Sequence, residues 1–270
     1  MTYELKAVME SIYFVIVTLV IFTFSGFVKG FIGVGLPTIS IILIALVFDL
    51  YSAIALVIIP ALVTNMWQAI NGSHFRSLIA EFWLFFLLSG LSVFVGTFLF
   101  YSLNTSLTSS ILGIIIIFYG VYSLGGKTLK IDKTRTGIYS PIVSILNGIL
   151  TGMTGTLLVP SLLFFQALGL KRQRLSQALG IQFSILTFFL AIATRSYRSI
   201  ENEIIYLSLA ACACALIGMS LGRRISLFIS DERFKKFFLS CLIILGFLII
   251  FKSNFAFFST GQTTQNYFNP

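Results

Sequence analysis

The chain has 270 residues, 57% of them hydrophobic and only 10% charged, and a mean hydropathy of +1.00, which excludes a soluble domain and marks an integral membrane protein. Its net charge of +9 does not imply nucleic acid, because the basic residues sit in short loops between apolar spans rather than on one face or tail. Cys212, Cys214 and Cys241 all fall within apolar spans and read as packing residues, so no metal, disulfide or cofactor is expected.

With roughly 20 residues needed to cross about 30 Å of hydrocarbon, apolar segments run over 11–47, 52–70, 78–100 and 106–123, then 138–169, 174–194, 203–222 and 234–252. The start does not read as a cleaved signal: Glu4 and Glu10 flank a lone Lys6, and no small-residue cleavage site ends the first run. The first and fifth segments are too long for one span, and each holds a glycine-rich interruption. Gly125 to Gly137, with Lys127, Lys130, Asp132, Lys133 and Arg135, is the only sizeable polar stretch and falls between the halves. The expected organisation is a first transmembrane repeat over 1–124, a basic cytoplasmic linker over 125–137, a second repeat over 138–253 and a tail over 254–270.

The first interruption runs from Ser25 to Pro37 and the second from Asn147 to Pro160. Gly26, Gly30 and Gly33 recur as Gly148, Gly152 and Gly155 at an offset of 122 residues, and Pro37 recurs as Pro160 at an offset of 123. Glycine-broken elements in corresponding positions of two halves point to a secondary transporter whose substrate sits where the breaks meet. Backbone that leaves the helix at membrane depth must be buried in protein or line a wet cavity, so the breaks are expected to face each other inside. The glycines, with Gly35, permit positive φ and close backbone approach. Pro37 and Pro160 suit the first turn of a second half-helix. Two half-helix N-termini would then aim N–H groups and partial positive charge into one cavity, which makes an anion site.

Loop charges decide the threading. If each broken element crosses once, Lys and Arg divide nine against eight and give no orientation. If each returns to the side it came from, thirteen share one face: Arg76, Lys127, Lys130, Lys133, Arg135, Lys171, Arg172, Arg174, Arg223, Arg224, Arg233, Lys235 and Lys236. Only Lys6, Arg195, Arg198 and Lys252 lie opposite. The positive-inside bias makes the richer face cytoplasmic and puts both termini outside. The fold class expected is therefore all-α, a polytopic transmembrane helical bundle of two inverted repeats, each with one broken re-entrant helix pair plus three transmembrane helices.

Lys29 fits neither a loop nor a span end. A cation at membrane depth costs at least about 2.5 to 3.5 kcal/mol on insertion scales. Either it snorkels or pairs with a carbonyl of the break, or it faces the cavity and meets a negatively charged substrate; Thr151 holds the matching position in the second half. No carboxylate sits mid-span, which argues against a cation transporter or carboxylate proton relay. Asn65 and Gln68, and Gln177 and Gln182, lie in the span after each break, where an amide either bridges helices or contacts substrate. His74 reads as a loop residue, and Trp67 and Trp83 as interfacial anchors. The candidate substrate contacts are Lys29, Gly30, Gly33, Gly35, Pro37, Asn65, Gln68, Asn147, Thr151, Gly152, Thr154, Gly155, Thr156, Pro160 and Gln182.

The paired breaks followed by Pro, the four-plus-four layout, the basic linker and the Gly169-Leu170-Lys171-Arg172 turn resemble the TauE/SafE sulfite exporter family, also called the toluene sulfonate uptake permease family. The resemblance covers roughly residues 11–252. It implies a bacterial or archaeal inner-membrane permease for sulfite, sulfonates or related small sulfur-containing or organic anions.

The leading function is secondary transport of a small anion by alternating access, with the lipid bilayer as surroundings, no nucleic-acid partner and a homo-oligomer left open. The alternative is a membrane accessory or assembly protein that uses the same fold without moving solute. An intramembrane enzyme is disfavoured because the spans hold no histidine and no paired carboxylates.

Overall fold

Apolar residues at most positions, with no water to satisfy the backbone in hydrocarbon, favour segments that complete their own hydrogen bonds. The computed structural model describes residues 3–126, 130–132, 136–197, 201–228 and 231–265, with side chains described between 12 and 255 except 231–233. Lys127, Lys133, Arg135 and Arg198, and the side chains of Glu4, Lys6, Glu10, Asp231, Glu232 and Arg233, lie outside the described residues. Among those described there are ten helices and no strand: α1 (Tyr3–Ile32), α2 (Leu36–Val47), α3 (Leu50–Ile70), α4 (Phe75–Ser102), α5 (Thr105–Leu124), α6 (Thr136–Thr154), α7 (Ser161–Ala167), α8 (Arg172–Tyr197), α9 (Asn202–Ile225) and α10 (Asp231–Gln265).

Seven described helices are long and apolar enough to span a bilayer: Ile12–Ile32 of α1, then α3, α4, α5, α8 and α9, and Phe234–Phe255 of α10. The protein is a multi-pass helical membrane protein. The two breaks account for the shorter pieces. The first, Gly33 to Gly35, separates α1 from the 12-residue α2. The second, Gly155 to Pro160, separates α6 from the 7-residue α7.

The breaks are narrower than the glycine pattern predicts. Only Gly33 (φ 93°), Gly35 (φ 111°) and Gly155 (φ 72°) adopt positive φ within them. Gly26 and Gly30 stay inside α1, so its first limb is an uninterrupted helix rather than a half-helix. The reason is packing: a Cβ at Gly26 or Gly30 would stand 2.1 Å from the carbonyl oxygen of Ala215 or Met219 on α9. Gly148 and Gly152 do the same for α6, against Ser89 and Val93 of α4. Small residues that let helix backbones touch are the usual means of association in lipid. At its other end, α10 runs on to Gln265, beyond the expected span end at 252.

Helix pairing crosses between the halves. α1 packs on α9 and α6 on α4; α3 packs on α8 and α9, and α8 on α4; α5 lies along α10. Exchanging the first five helices for the last five maps these pairings onto one another. The limbs of each broken element also return together. Phe48, just after α2, packs edge-on against Phe14 of α1 at 4.5 Å between ring centres. The Ile131 N–H, ahead of α6, donates to the Ala167 carbonyl at the end of α7 at 3.1 Å.

Pro60, inside α3, has no N–H and so cannot satisfy the carbonyl one turn earlier, at Leu56. Ser208 of α9 supplies that bond, its hydroxyl donating to the Leu56 oxygen at 2.8 Å. α7 is held by aromatic packing, with Phe164 stacked on Phe85 of α4 at 5.1 Å and Phe165 edge-on to Phe82 at 5.2 Å.

Candidate functional site

Lys29 lies in the last turn of α1, immediately before the first break, and is only 4% exposed. Its ammonium turns inward to α3. It donates to the Thr64 hydroxyl at 3.1 Å and to the Asn65 side-chain oxygen. The Thr64 hydroxyl spends its own proton on the Pro60 carbonyl, at 2.7 Å, which leaves its lone pairs for the lysine. No described carboxylate pairs with Lys29. An ammonium has three donors, so two neutral partners leave one N–H and the whole charge uncompensated.

The two breaks meet. Thr38, in the first turn of α2, lies 3.2 Å from Thr156 through their hydroxyl oxygens. Gly155 lodges between α2 and α3: a Cβ there would meet Ile41 at 2.8 Å and Ile54 at 2.9 Å. The second break is shaped by its own threonines. Thr151 donates to the Thr156 carbonyl at 3.0 Å, and Thr154 accepts the Thr156 N–H at 3.3 Å while donating to Leu150 at 2.7 Å.

The two second limbs do not start alike. α2 begins after Gly35 with no side chain capping it, and Pro37 sits in its first turn as expected. At α7 the Asn147 oxygen accepts the Ser161 N–H at 3.1 Å, and the Leu162 and Phe164 N–H groups are used by Leu158 and Pro160 carbonyls. Pro160 is the residue before α7 rather than part of its first turn. The expectation of two equivalent open N-termini is thus corrected: the α7 start is satisfied internally, and positive character comes from Lys29 and the start of α2.

Other predicted residues divide by what they touch. Asn65 joins Lys29, and Thr156 joins the first break through Thr38. Gly30 and Gly152 face α9 and α4, while Gly33 has open space around its missing side chain. Gln68 donates to the Ser176 carbonyl and hydroxyl at 2.9 and 3.1 Å, bridging α3 to α8. Gln177 bonds the Ala69 carbonyl (2.8 Å) and the His74 N–H (2.9 Å), also a helix-to-loop clamp. Gln182 is different: it is fully buried, and neither amide atom has a partner. The amide nitrogens of Asn65 and Asn147 are likewise buried and unpartnered. Buried polar atoms are nearly always hydrogen-bonded, so these groups can answer a ligand or water.

Thr64 and Thr38 are contacts the sequence did not single out. Each stands beside a predicted residue, Asn65 or Pro37, but a threonine in an apolar helix ordinarily bonds only its own backbone. Among the described residues no group of three or more His, Cys, Asp or Glu could hold a metal.

A multi-pass helical membrane protein whose two helix breaks touch, with a buried lysine in the turn before the first of them, has the build of a membrane transporter. The chain belongs to the sulfite exporter TauE/SafE family, which it matches over residues 18–249. No curated protein and no solved structure matches it.

Proposed function

We propose that this transporter moves small anions, sulfite, sulfonates or related sulfur-containing or organic anions, by alternating access at the place where the two breaks meet. The observation that carries the reading is Lys29: a buried ammonium, held by two neutral side chains, with one proton unused and no carboxylate partner among the described residues. Hydrogen bonds from Thr64 and Asn65 offset part of its desolvation, and an anion completes the offset. The uncapped start of α2 adds partial positive charge. The buried amides of Asn65, Asn147 and Gln182 add donors suited to oxygen-bearing ligands.

The halves act as inverted repeats, residues 1–124 and 138–253, joined by the 125–137 linker. The exchange pattern of helix contacts and the return of each hairpin to its own side support this. The protein sits in the inner membrane with the end bearing Arg76, Arg174, Arg223 and Lys235 in the cytoplasm and both termini outside.

The test is ligand-induced stabilisation of the purified protein by sulfite, thiosulfate, sulfonates and small organic acids. Binding to the folded state raises the melting midpoint with concentration. At least one of these anions stabilises the wild type, and Lys29→Gln loses the shift. Equal shifts in both proteins, or none from any anion, reject the assignment.

A further inference from the structure

The far end of α2 carries a second cation. Lys252 belongs to α10, within the Phe234–Phe255 span, yet its ammonium is spent on α2 and the residue that follows it. It donates to the carbonyls of Ala45 at 2.8 Å, Leu46 at 3.0 Å and Phe48 at 2.8 Å. All three ammonium protons are thereby used. The neighbouring Ser253 pins this part of α10 to α5, donating to the Ser106 carbonyl at 2.7 Å and lying 2.6 Å from the Ser110 hydroxyl. Beside the ammonium is a pocket of ≈ 160 Å³, lined among others by Asp49, Thr105, Ser109 and Ser253.

The last carbonyls of a helix have no partners within it and carry its negative partial charge. In transporters with broken helices, half-helix C-terminal ends that lie at the break coordinate free cations. The end of α2 lies away from the break but presents the same kind of carbonyls, unpartnered within the helix. Here the other broken element offers a contrast, since among the described residues the Ala167 carbonyl at the end of α7 receives a neutral backbone N–H, from Ile131. The two ends are capped from matching places, one by the last helix of the second half and one by the segment after the last helix of the first. Among the described residues, only the α2 cap is charged.

We propose that Lys252 is a tethered cation that fills the carbonyl end of α2, where a free monovalent cation would otherwise bind, and so fixes α2 in position. Lys252 is a positioning residue: it touches the far end of the helix whose start lies at the breaks. α2 has 12 residues, so its two ends are about 18 Å apart. The inference concerns the cation and not the transported anion, and it stands or falls without any transport measurement.

The experiment is the melting midpoint of the full-length purified protein and of Lys252→Ala, Lys252→Met and Lys252→Arg, each in choline, sodium, potassium and ethylammonium chloride. In choline the Ala and Met variants are expected to melt lower by about 2–4 °C or more. Ethylammonium, sodium or potassium restores most of that loss in the Ala variant, where truncation leaves room. The Met variant, whose apolar side chain fills the space, gains little, and the wild type and Lys252→Arg respond equally to all four salts. An unchanged midpoint in both Ala and Met variants overturns the proposal. So does a loss in the Ala variant that is the same in every salt, because that is the signature of lost side-chain packing alone.

Discussion

At the residue scale, the ammonium of Lys29 is held by two neutral side chains. The sequence shows that Lys29 has no place at a span end, but its partners come from Thr64 and Asn65, 35 and 36 residues further along, on a different helix. Nothing in local spacing reports that contact, since it depends on how α1 and α3 lie against each other. A hydrogen bond to a charged group contributes roughly 1.5–3 kcal/mol. Asn65→Leu is therefore expected to lower stability by about that amount in a denaturation series, with loss of anion-induced stabilisation. Gln182→Leu should behave oppositely on stability. Its amide has no partner to lose, so the variant melts at or above the wild-type midpoint while its anion-induced shift weakens. A clear drop in its midpoint would mean that the amide is satisfied in the folded protein.

At the element scale, the glycine pattern announced both breaks and placed them in corresponding halves, yet overstated their length. Glycine at Gly26 and Gly33 looks the same in sequence. One is needed because α9 backbone occupies the Cβ position, the other because the chain turns through positive φ. Their substitutions separate these roles. Gly30→Leu forces apart α1 and α9 and is expected to cost about 1–3 kcal/mol or more from overpacking. Gly33→Ala meets open space and costs only the left-handed backbone penalty of about 1–2 kcal/mol, which Gly33→Asn partly relieves. Thermal unfolding of the three variants checks the order. α7 was illegible as a short, internally capped helix because the capping oxygen, on Asn147, lies 14 residues before its partner Ser161. Ser208 was equally hidden: its role exists only because Pro60 leaves the Leu56 carbonyl open. Ser208→Ala is expected to cost about 1–3 kcal/mol for the orphaned carbonyl, with anion-induced stabilisation unchanged.

At the scale of the whole molecule, the six single spans were legible because lipid demands long apolar helices, and all six recur among the seven described helices of spanning length. The seventh, Ile12–Ile32, is the first limb of the first broken element, which was expected to be only half a span. The cross-pairing of α1 with α9 and α6 with α4 was not, since glycine spacing says that a close partner exists and not which one. The pairing matters for motion. Each hairpin's first limb is locked by backbone contact to a helix of the other half, so under the proposed alternating access the two moving units are expected to mix residues of both repeats rather than follow the repeat boundary. The proposed positive site, Lys29 in the turn before the first break, is tested most directly by uptake of a stabilising anion into proteoliposomes carrying wild type or Lys29→Gln. Removing one charge-assisted contact of roughly 1.5–3 kcal/mol slows uptake by about tenfold to a hundredfold or abolishes it, with helical content by circular dichroism unchanged. Wild-type uptake by a folded Lys29→Gln protein would contradict the account.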